Sequence, residues 1–511
     1  MNSHRTLLHI CLAVWIGATA LVAQEVAKKV SAPVDSLPAL QARLAEQVAQ
    51  PRFAAAMWGI KIVSLDSGKT LFEHNAHKLL KPASNAKLYT GALALDRLGP
   101  DFRIQTSLYA AAKPDESGTL GGDLIIFGRG DPSFSARFHD GDYAMALEPL
   151  AQALVRAGVK RIQGDLVGDE SFFRGPPLGS GWTWDDLQYY YGAEVSALTA
   201  QDNVVDLLFQ PGPKAGAPGR ITSMPAVNYL TFINQTETVT NGGKLQIDLY
   251  RPLGANVVQV TGTLPLGVTN HTDSVAVTQP ARWFLALLRE ALARRGVTVA
   301  GGTRTANWLE RQTNALDYAR LVELAAVDSR PLAEIVRTMM KPSQNLYAQL
   351  LLLQVGVKAR KKPETAGQTT EEMGLSEMNK FLAEAGVKKG DVLLEEGSGL
   401  SRAALVTPNA TVTLLQFMSR HRHAEFFRDA LPVAAVDGTL RHRLHGTVAA
   451  KNVRAKTGSL RYVNTLSGYV TTAAGERLAF SLMLNNYAGT TARADLDTIA
   501  VQLAGFTGRS F

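Results

Sequence analysis

Ser84 and Lys87 stand three positions apart, so a helix beginning at Ser84 would place a primary amine and a hydroxyl on the same face. A serine hydroxyl is a weak nucleophile until a neighbouring base takes its proton. Lysine can be that base only where burial or nearby cations hold it neutral. The surrounding stretch, Lys81-Pro82-Ala83-Ser84-Asn85-Ala86-Lys87-Leu88-Tyr89-Thr90, suits a helix start. Pro82 fixes φ on the approach, and Ala86, Leu88, Ala92 and Leu93 read as a buried helical face. Free N–H groups at such a start would hold a developing oxyanion. Taken alone, the same spacing also describes an N-cap serine followed by a solvated lysine.

Two further segments change that reading. Lys341-Pro342-Ser343-Gln344-Asn345 opens a long helix, expected from Asn345 to Val355, with polar side chains facing a cleft at its first turn. Lys456-Thr457-Gly458-Ser459 begins an expected strand, where Gly458 leaves room for another backbone to approach. Each has an ordinary explanation by itself, an N-cap serine in one case and a surface lysine in the other. In this order, Ser-x-x-Lys, Ser-x-Asn and Lys-Thr-Gly form the signature of penicillin-recognising serine acyltransferases and β-lactamases.

The chain resembles one branch of these, the low-molecular-mass class C penicillin-binding proteins of the D-alanyl-D-alanine carboxypeptidase/endopeptidase family. As in that family, a long insertion separates the first motif from the second. The likeness extends to Gly122 to Phe134, Gly192 to Leu198, Gly397 to Ser401, Val436 to Leu440 and Arg454 to Leu460. The resemblance implies an α+β fold, a penicillin-binding or serine β-lactamase-like transpeptidase domain with an antiparallel sheet flanked by helices, carrying two smaller β-rich inserted domains. The expected division is residues 36–105 with 315–511 as the transpeptidase domain, 106–187 with 275–314 as a second domain, and 188–274 as a third. The implied activity is cleavage of D-Ala–D-Xaa bonds through a Ser84 acyl-enzyme. Lys87 would be the base, Ser343 and Lys456 the proton relay, and Asn345 the orienting amide. Thr457, Gly458 and Ser459 would bind substrate. The expected partners are peptidoglycan stem peptides, with β-lactams as covalent inhibitors, and no cofactor or metal is expected. Three residues depart from the family pattern: Gln344 and Gln349 replace carboxylates, and Glu396 replaces an aspartate.

The elements that must position these residues are legible in outline. Leu37 to Ala49 is apolar at helical spacing, Trp58 to Val63 and Thr70 to Phe72 form a hairpin, and the Ser84 helix follows directly. Short strands separated by Gly, Pro and Asp fill the middle of the chain, including Val204 to Phe209, Tyr229 to Ile233, Leu245 to Tyr250 and Val257 to Val260. Two Gly-Asp strand starts, at Gly122 and Gly164, look alike. Gln279 to Arg295 and Pro331 to Met340 read as helices, and Leu321 to Leu324 as a strand of the flanking domain. Strands at Thr465 to Val470 and Leu478 to Leu484 and a helix at Ala492 to Ala504 close the chain. The aromatic run Trp182, Trp184, Tyr189, Tyr190 and Tyr191 is expected to pack domains together rather than to line a groove.

Composition sets the class. The 511 residues are 46% hydrophobic and 19% charged, enough for two or three domains. Net charge is +8, but the basic residues are scattered and form no nucleic-acid stripe. Arg5 followed by an apolar run to Ala23 reads as an export signal over residues 1–23, which places the protein in the periplasm or cell-wall space. If uncleaved, that run would hold the chain peripherally at a membrane. Cys11, the single cysteine, lies within it, so the mature chain has no disulfide or thiol chemistry. Two rival readings remain at this level. A β-lactamase would need an efficient deacylating base, which the sequence does not name. A non-catalytic wall-binding module is suggested by Gln344 and Gln349. A metal hydrolase built on His421, His423, His442 and His445 is disfavoured by their basic neighbours and lack of carboxylate partners, and these read as surface histidines.

Overall fold

The computed structural model describes residues 34–361 and 367–511. The expected export signal lies outside the described residues. Among the described residues no helix is long and apolar enough to cross a membrane.

The two ends of the chain build one five-stranded antiparallel sheet. Its order is Arg454–Leu460, Val463–Thr471, Arg477–Asn485, Met57–Ser64 and Thr70–His74. Both faces are covered, and the strand Arg477–Asn485 shows how the period of two divides them. Leu478, Phe480, Leu482 and Leu484 pack with Leu40, Leu44, Leu496 and Ile499 of the helices Leu37–Val48 and Ala492–Ala504. Ala479 and Met483 belong to the opposite core, with Leu88, Leu93, Met339, Leu350 and Leu414. Those residues come from the helices Ala86–Leu98, Leu332–Met340, Asn345–Lys358 and Pro408–Ser419. The expected hairpin, strands and helices of this region are all present.

A second five-stranded sheet draws mostly on the inserted segments, in the order Thr303–Ala306, Leu166–Asp169, Leu124–Phe127, Gln105–Ala110 and Val322–Asp328. The two look-alike Gly-Asp strands are neighbours here, parallel, with Leu124 opposite Leu166. The strand read with the flanking domain, Leu321 to Leu324, instead forms part of Val322–Asp328 and pairs with Gln105–Ala110 at this sheet's edge. Local pattern identified the strand correctly, but its partner is set by tertiary pairing, which period alone does not encode. Two three-stranded sheets follow, one from Val204–Gln210, Arg220–Met224 and His271–Ala276, the other from Thr231–Val239, Gln246–Tyr250 and Val257–Pro265. They share a core with the helices Glu148–Arg156 and Pro280–Arg294, through Leu150, Phe209, Val258, Trp283 and Leu288.

The turn that carries Ser84 is fastened to the first sheet by polar side chains. Asn85 Nδ2 donates to Ser467 Oγ at 2.7 Å, and Thr465 Oγ1 donates to the Pro82 carbonyl at 2.9 Å. Gly458 on the edge strand faces the same turn. A Cβ there would stand 2.3 Å from Thr465 Oγ1, 2.7 Å from the Pro82 carbonyl oxygen and 3.0 Å from Ser84 N. Two of these neighbours are backbone atoms, so the strand itself must shift if the side chain grows. Gly458→Ala is therefore expected to cost about 1–3 kcal/mol of stability by overpacking. It should also slow acylation of Ser84 by at least about tenfold, since small misplacements of reacting groups are amplified in rate. Denaturant melts and acylation rates measured on the same variant test both effects.

Candidate active site

Ser84 sits in a single 3₁₀ turn, Ala83–Asn85, that feeds the helix Ala86–Leu98. It does not open the α-helix, but the turn still brings the Lys87 Nζ to 2.9 Å from Ser84 Oγ. Ser343 likewise lies just outside its helix, with a left-handed φ of 69°. Gln344 is the N-cap of Asn345–Lys358, its side chain accepting from Leu346 N at 3.2 Å. Ala83, ahead of Ser84, is also left-handed at φ 47°. Left-handed alanine or serine costs on the order of 1–3 kcal/mol and persists only where the surroundings enforce it. Here Gly399 packs against that turn so closely that a Cβ on it would stand 1.9 Å from the Ala83 carbonyl oxygen.

The Lys87 amine has two further neighbours, both acceptors. It donates to Asn345 Oδ1 at 2.6 Å and to the Ser398 carbonyl at 2.8 Å. A neutral amine has two hydrogens and one lone pair. With both hydrogens taken by those acceptors, the lone pair is left for Ser84 Oγ, whose O–H can donate to it. The side chain is fully buried, and burial drops its pKa to about 7, against a smaller opposing pull from Glu396. Glu396 stays beyond hydrogen-bonding distance of the amine. Its carboxylate accepts from the backbone N–H groups of Ser398 at 2.6 Å, Gly399 at 2.5 Å and Ser401 at 3.4 Å. Asn345 is held in orientation by its own Nδ2, which donates to the Tyr191 carbonyl at 2.8 Å.

Lys456 is the second buried amine. Its Nζ donates to Ser343 Oγ at 2.8 Å and to the Thr457 carbonyl at 2.8 Å. Burial, reinforced by the nearby Lys87 charge, holds it well below the usual lysine range. Thr457 Oγ1 reaches Thr439 Oγ1 at 2.7 Å, and Ser459 Oγ reaches Asn464 Oδ1 at 3.3 Å. Behind Ser343, Lys341 is paired with Asp437 at 2.7 Å. The eight residues expected at the site lie together: Lys87 bonds to Ser84 and Asn345, Lys456 bonds to Ser343, Gly458 faces the Ser84 turn, and Ser84, Ser343, Asn345, Thr457 and Ser459 line one groove.

The site opens into a groove of about 900 Å³. Trp184, Tyr189, Tyr190 and Tyr191 line it together with Ser84, Ser343 and Thr457. Trp184 is 72% exposed and Tyr189 and Tyr190 are also exposed, so these rings do not pack domains together as expected. Only Trp182 does so, lying against the helical core. Alternating polar neighbours do not separate the two cases, because the rings project from irregular backbone and short 3₁₀ turns rather than a regular strand or helix. The histidines also divide. His442 and His445 are exposed, whereas His421 is tucked against Phe417 and lies 3.0 Å from Asp96, a carboxylate 325 positions away that sequence proximity could not reveal. Sequence reasoning also missed the Ser398 and Tyr191 carbonyls. Backbone groups carry no residue signature, although Gly397 to Ser401 was among the stretches that resemble the family.

With this geometry in place, comparison with known proteins is decisive. The model of the D-Ala-D-Ala carboxypeptidase 3 (S13) family matches residues 40–508. The chain belongs to that family. It is 35% identical over 473 residues to a D-alanyl-D-alanine carboxypeptidase of Actinomadura sp. (strain R39), covering 90% of this chain and 83% of the relative. It is 28% identical over 428 residues to the D-alanyl-D-alanine carboxypeptidase DacB of Haemophilus influenzae, covering 83% and 84%. The crystal structure of penicillin binding protein 4 (dacB) from Haemophilus influenzae superposes with a TM-score of 0.75 at 26% identity, covering 90% of this chain and 98% of that one. The penicillin-binding-protein fold expected from the three motifs is the fold of this chain.

The Lys87 amine must lose its proton before it can accept one from Ser84. Acylation of Ser84 is therefore expected to rise with pH through about 7, the value to which burial brings this amine. Second-order acylation rates from pH 5 to 9 measure that limb. A midpoint near the ordinary lysine value would show the amine to be solvated.

Proposed function

We propose that Ser84 is the nucleophile with which this S13-family serine DD-peptidase opens D-Ala–D-Xaa bonds of peptidoglycan stem peptides. The observation that carries the reading is the 2.9 Å contact between Ser84 Oγ and a buried lysine whose two hydrogens are committed elsewhere. Lys87 takes the hydroxyl proton as Ser84 Oγ attacks the carbonyl carbon. The oxyanion is held by the backbone N–H groups of Ser84 and Ser459, each donor contributing about 3 kcal/mol. Ser343, bonded to Lys456, gives its proton to the leaving amine as the C–N bond breaks and is made good by the proton that Lys87 took from Ser84, which leaves Lys87 neutral again. Lys456 and Thr457 attract the carboxylate of the leaving residue. Water then hydrolyses the ester and regenerates Ser84. A β-lactam offers the same carbonyl but keeps its leaving nitrogen tethered, so its acyl-enzyme persists. Arg454–Leu460 is the edge strand of its sheet, which suits pairing with an extended peptide.

The division of labour follows from the groove. Residues 36–105 and 315–511 supply the reacting groups, and the inserted segments supply its aromatic wall and the Tyr191 carbonyl behind Asn345. The basic balance and the signal-like N-terminus support work outside the cytoplasm, in the periplasm or cell-wall space.

Digestion of purified muropeptides followed by mass spectrometry tests the reading. Loss of a terminal D-Ala, or cleavage of D-Ala cross-links, is expected from the wild type. Neither product, and no labelling by fluorescent penicillin, is expected from Ser84→Ala. Labelling that survives in Ser84→Ala would overturn the assignment of the nucleophile.

A further inference from the structure

The loop that supplies one of Lys87's two acceptors is itself held from outside the catalytic set. Its Ser398 carbonyl accepts from Lys87 at 2.8 Å, and the preceding residue, Gly397, is fixed on both sides of its backbone. Thr90 Oγ1 donates to the Gly397 carbonyl at 2.6 Å. The Gly397 N–H donates to Gln349 Oε1 at 2.8 Å. Gln349 is buried one turn beyond Asn345 on the same helix, and its Nε2 donates to the carboxylate of Glu371. Glu371 lies in the first turn of the helix Thr370–Glu384 and also accepts from the backbone N–H, at 3.3 Å, and the hydroxyl of Ser180.

A primary amide has a fixed polarity. Since the Gly397 N–H requires its oxygen, Gln349 must turn its NH₂ towards Glu371, and that neighbour must be an acceptor. The chain from Ser180 through Glu371 and Gln349 to Gly397 therefore has one direction, with every donor matched. Space behind the loop does not allow it to settle elsewhere: a Cβ on Gly397 would stand 2.6 Å from the Ala348 carbonyl oxygen. Burial pushes the Glu371 carboxyl up, and the donors from Ser180 and Gln349 pull it back towards the ionised form.

We propose that Glu371 is a positioning residue for proton transfer, acting through Gln349 to hold the Gly397–Ser398 peptide and thereby aim the Lys87 lone pair at Ser84. The inference rests on Lys87 as the base. Glu371 touches neither substrate nor the reacting atoms, so its removal should slow chemistry and leave recognition of the ligand intact.

Saturation kinetics with a fluorescent penicillin separate the two, giving the dissociation constant of the reversible complex and the acylation rate constant. Glu371→Leu is expected to lower the acylation rate constant about tenfold with the dissociation constant within about twofold of wild type. Gln349→Glu sets two carboxylates face to face and is expected to do the same. The exchanged pair, Gln349→Glu with Glu371→Gln, restores a donor opposite an acceptor and should recover to within about threefold of wild type. Wild-type acylation by Glu371→Leu would overturn the proposal. So would an exchanged pair no faster than Gln349→Glu, or losses shared equally by binding and rate with a lowered melting temperature. Ser84→Ala tests the underlying reading separately, because it removes the acyl-enzyme altogether, whereas these variants retain it and form it more slowly.

Discussion

Everything at this site depends on keeping the Lys87 amine away from water without giving it a carboxylate to bond. Isolated ammonium groups are costly to bury, and the usual response is loss of the proton. The protein exploits that response. The nearest acidic group that could have kept the amine charged, Glu396, is occupied by three backbone N–H groups. Lys456, the second buried amine, is bonded to Ser343 and brings no acidic partner to Lys87. Neutrality has a price in folding. The unfolded chain holds this proton up to about 10.5, whereas the folded chain holds it only to about 7. Stability from this group is therefore lowest below pH 7 and recovers as pH rises towards 10.5.

The inserted segments take part in that arrangement and are more than attachments to a peptidase. Tyr191 lends the carbonyl that orients Asn345, and Ser180 anchors the carboxylate behind Gln349. The exposed rings of Trp184, Tyr189 and Tyr190 come from the same stretch and form one wall of the groove. A groove built from separate parts of the chain can be shaped for a polymeric substrate while the Ser84 turn, the helix starts beside it and the edge strand of the first sheet keep their own geometry.

The side chains proposed to act directly were legible in the sequence, because such chemistry restricts residue type and spacing restricts geometry. Ser84 and Lys87 are one turn apart, and Gly458 is the only residue type that leaves the strand close enough to the nucleophile turn. The strands and helices of the terminal segments were legible for the same reason, since both sheet faces are buried and the apolar periods are strong. Contributions from backbone carbonyls, as at Ser398 and Tyr191, leave no residue signature. Long-range pairings such as Gln349 with Glu371 and Val322–Asp328 with Gln105–Ala110 join stretches that local pattern treats separately. Most of the aromatic run was misread because hydrophobic content predicts burial, while Trp184, Tyr189 and Tyr190 stand exposed along a groove.

The protonation state of the Lys87 amine can be observed without any substrate. Protein carrying ¹³C,¹⁵N-labelled lysine can be titrated by NMR, following the Cε resonance of Lys87 assigned with Lys87→Met. A titration midpoint near 7 is expected for Lys87, set apart from the surface lysines. A midpoint close to the ordinary lysine value of about 10.5 would contradict it, because the amine would then carry its proton at neutral pH and could not take one from Ser84.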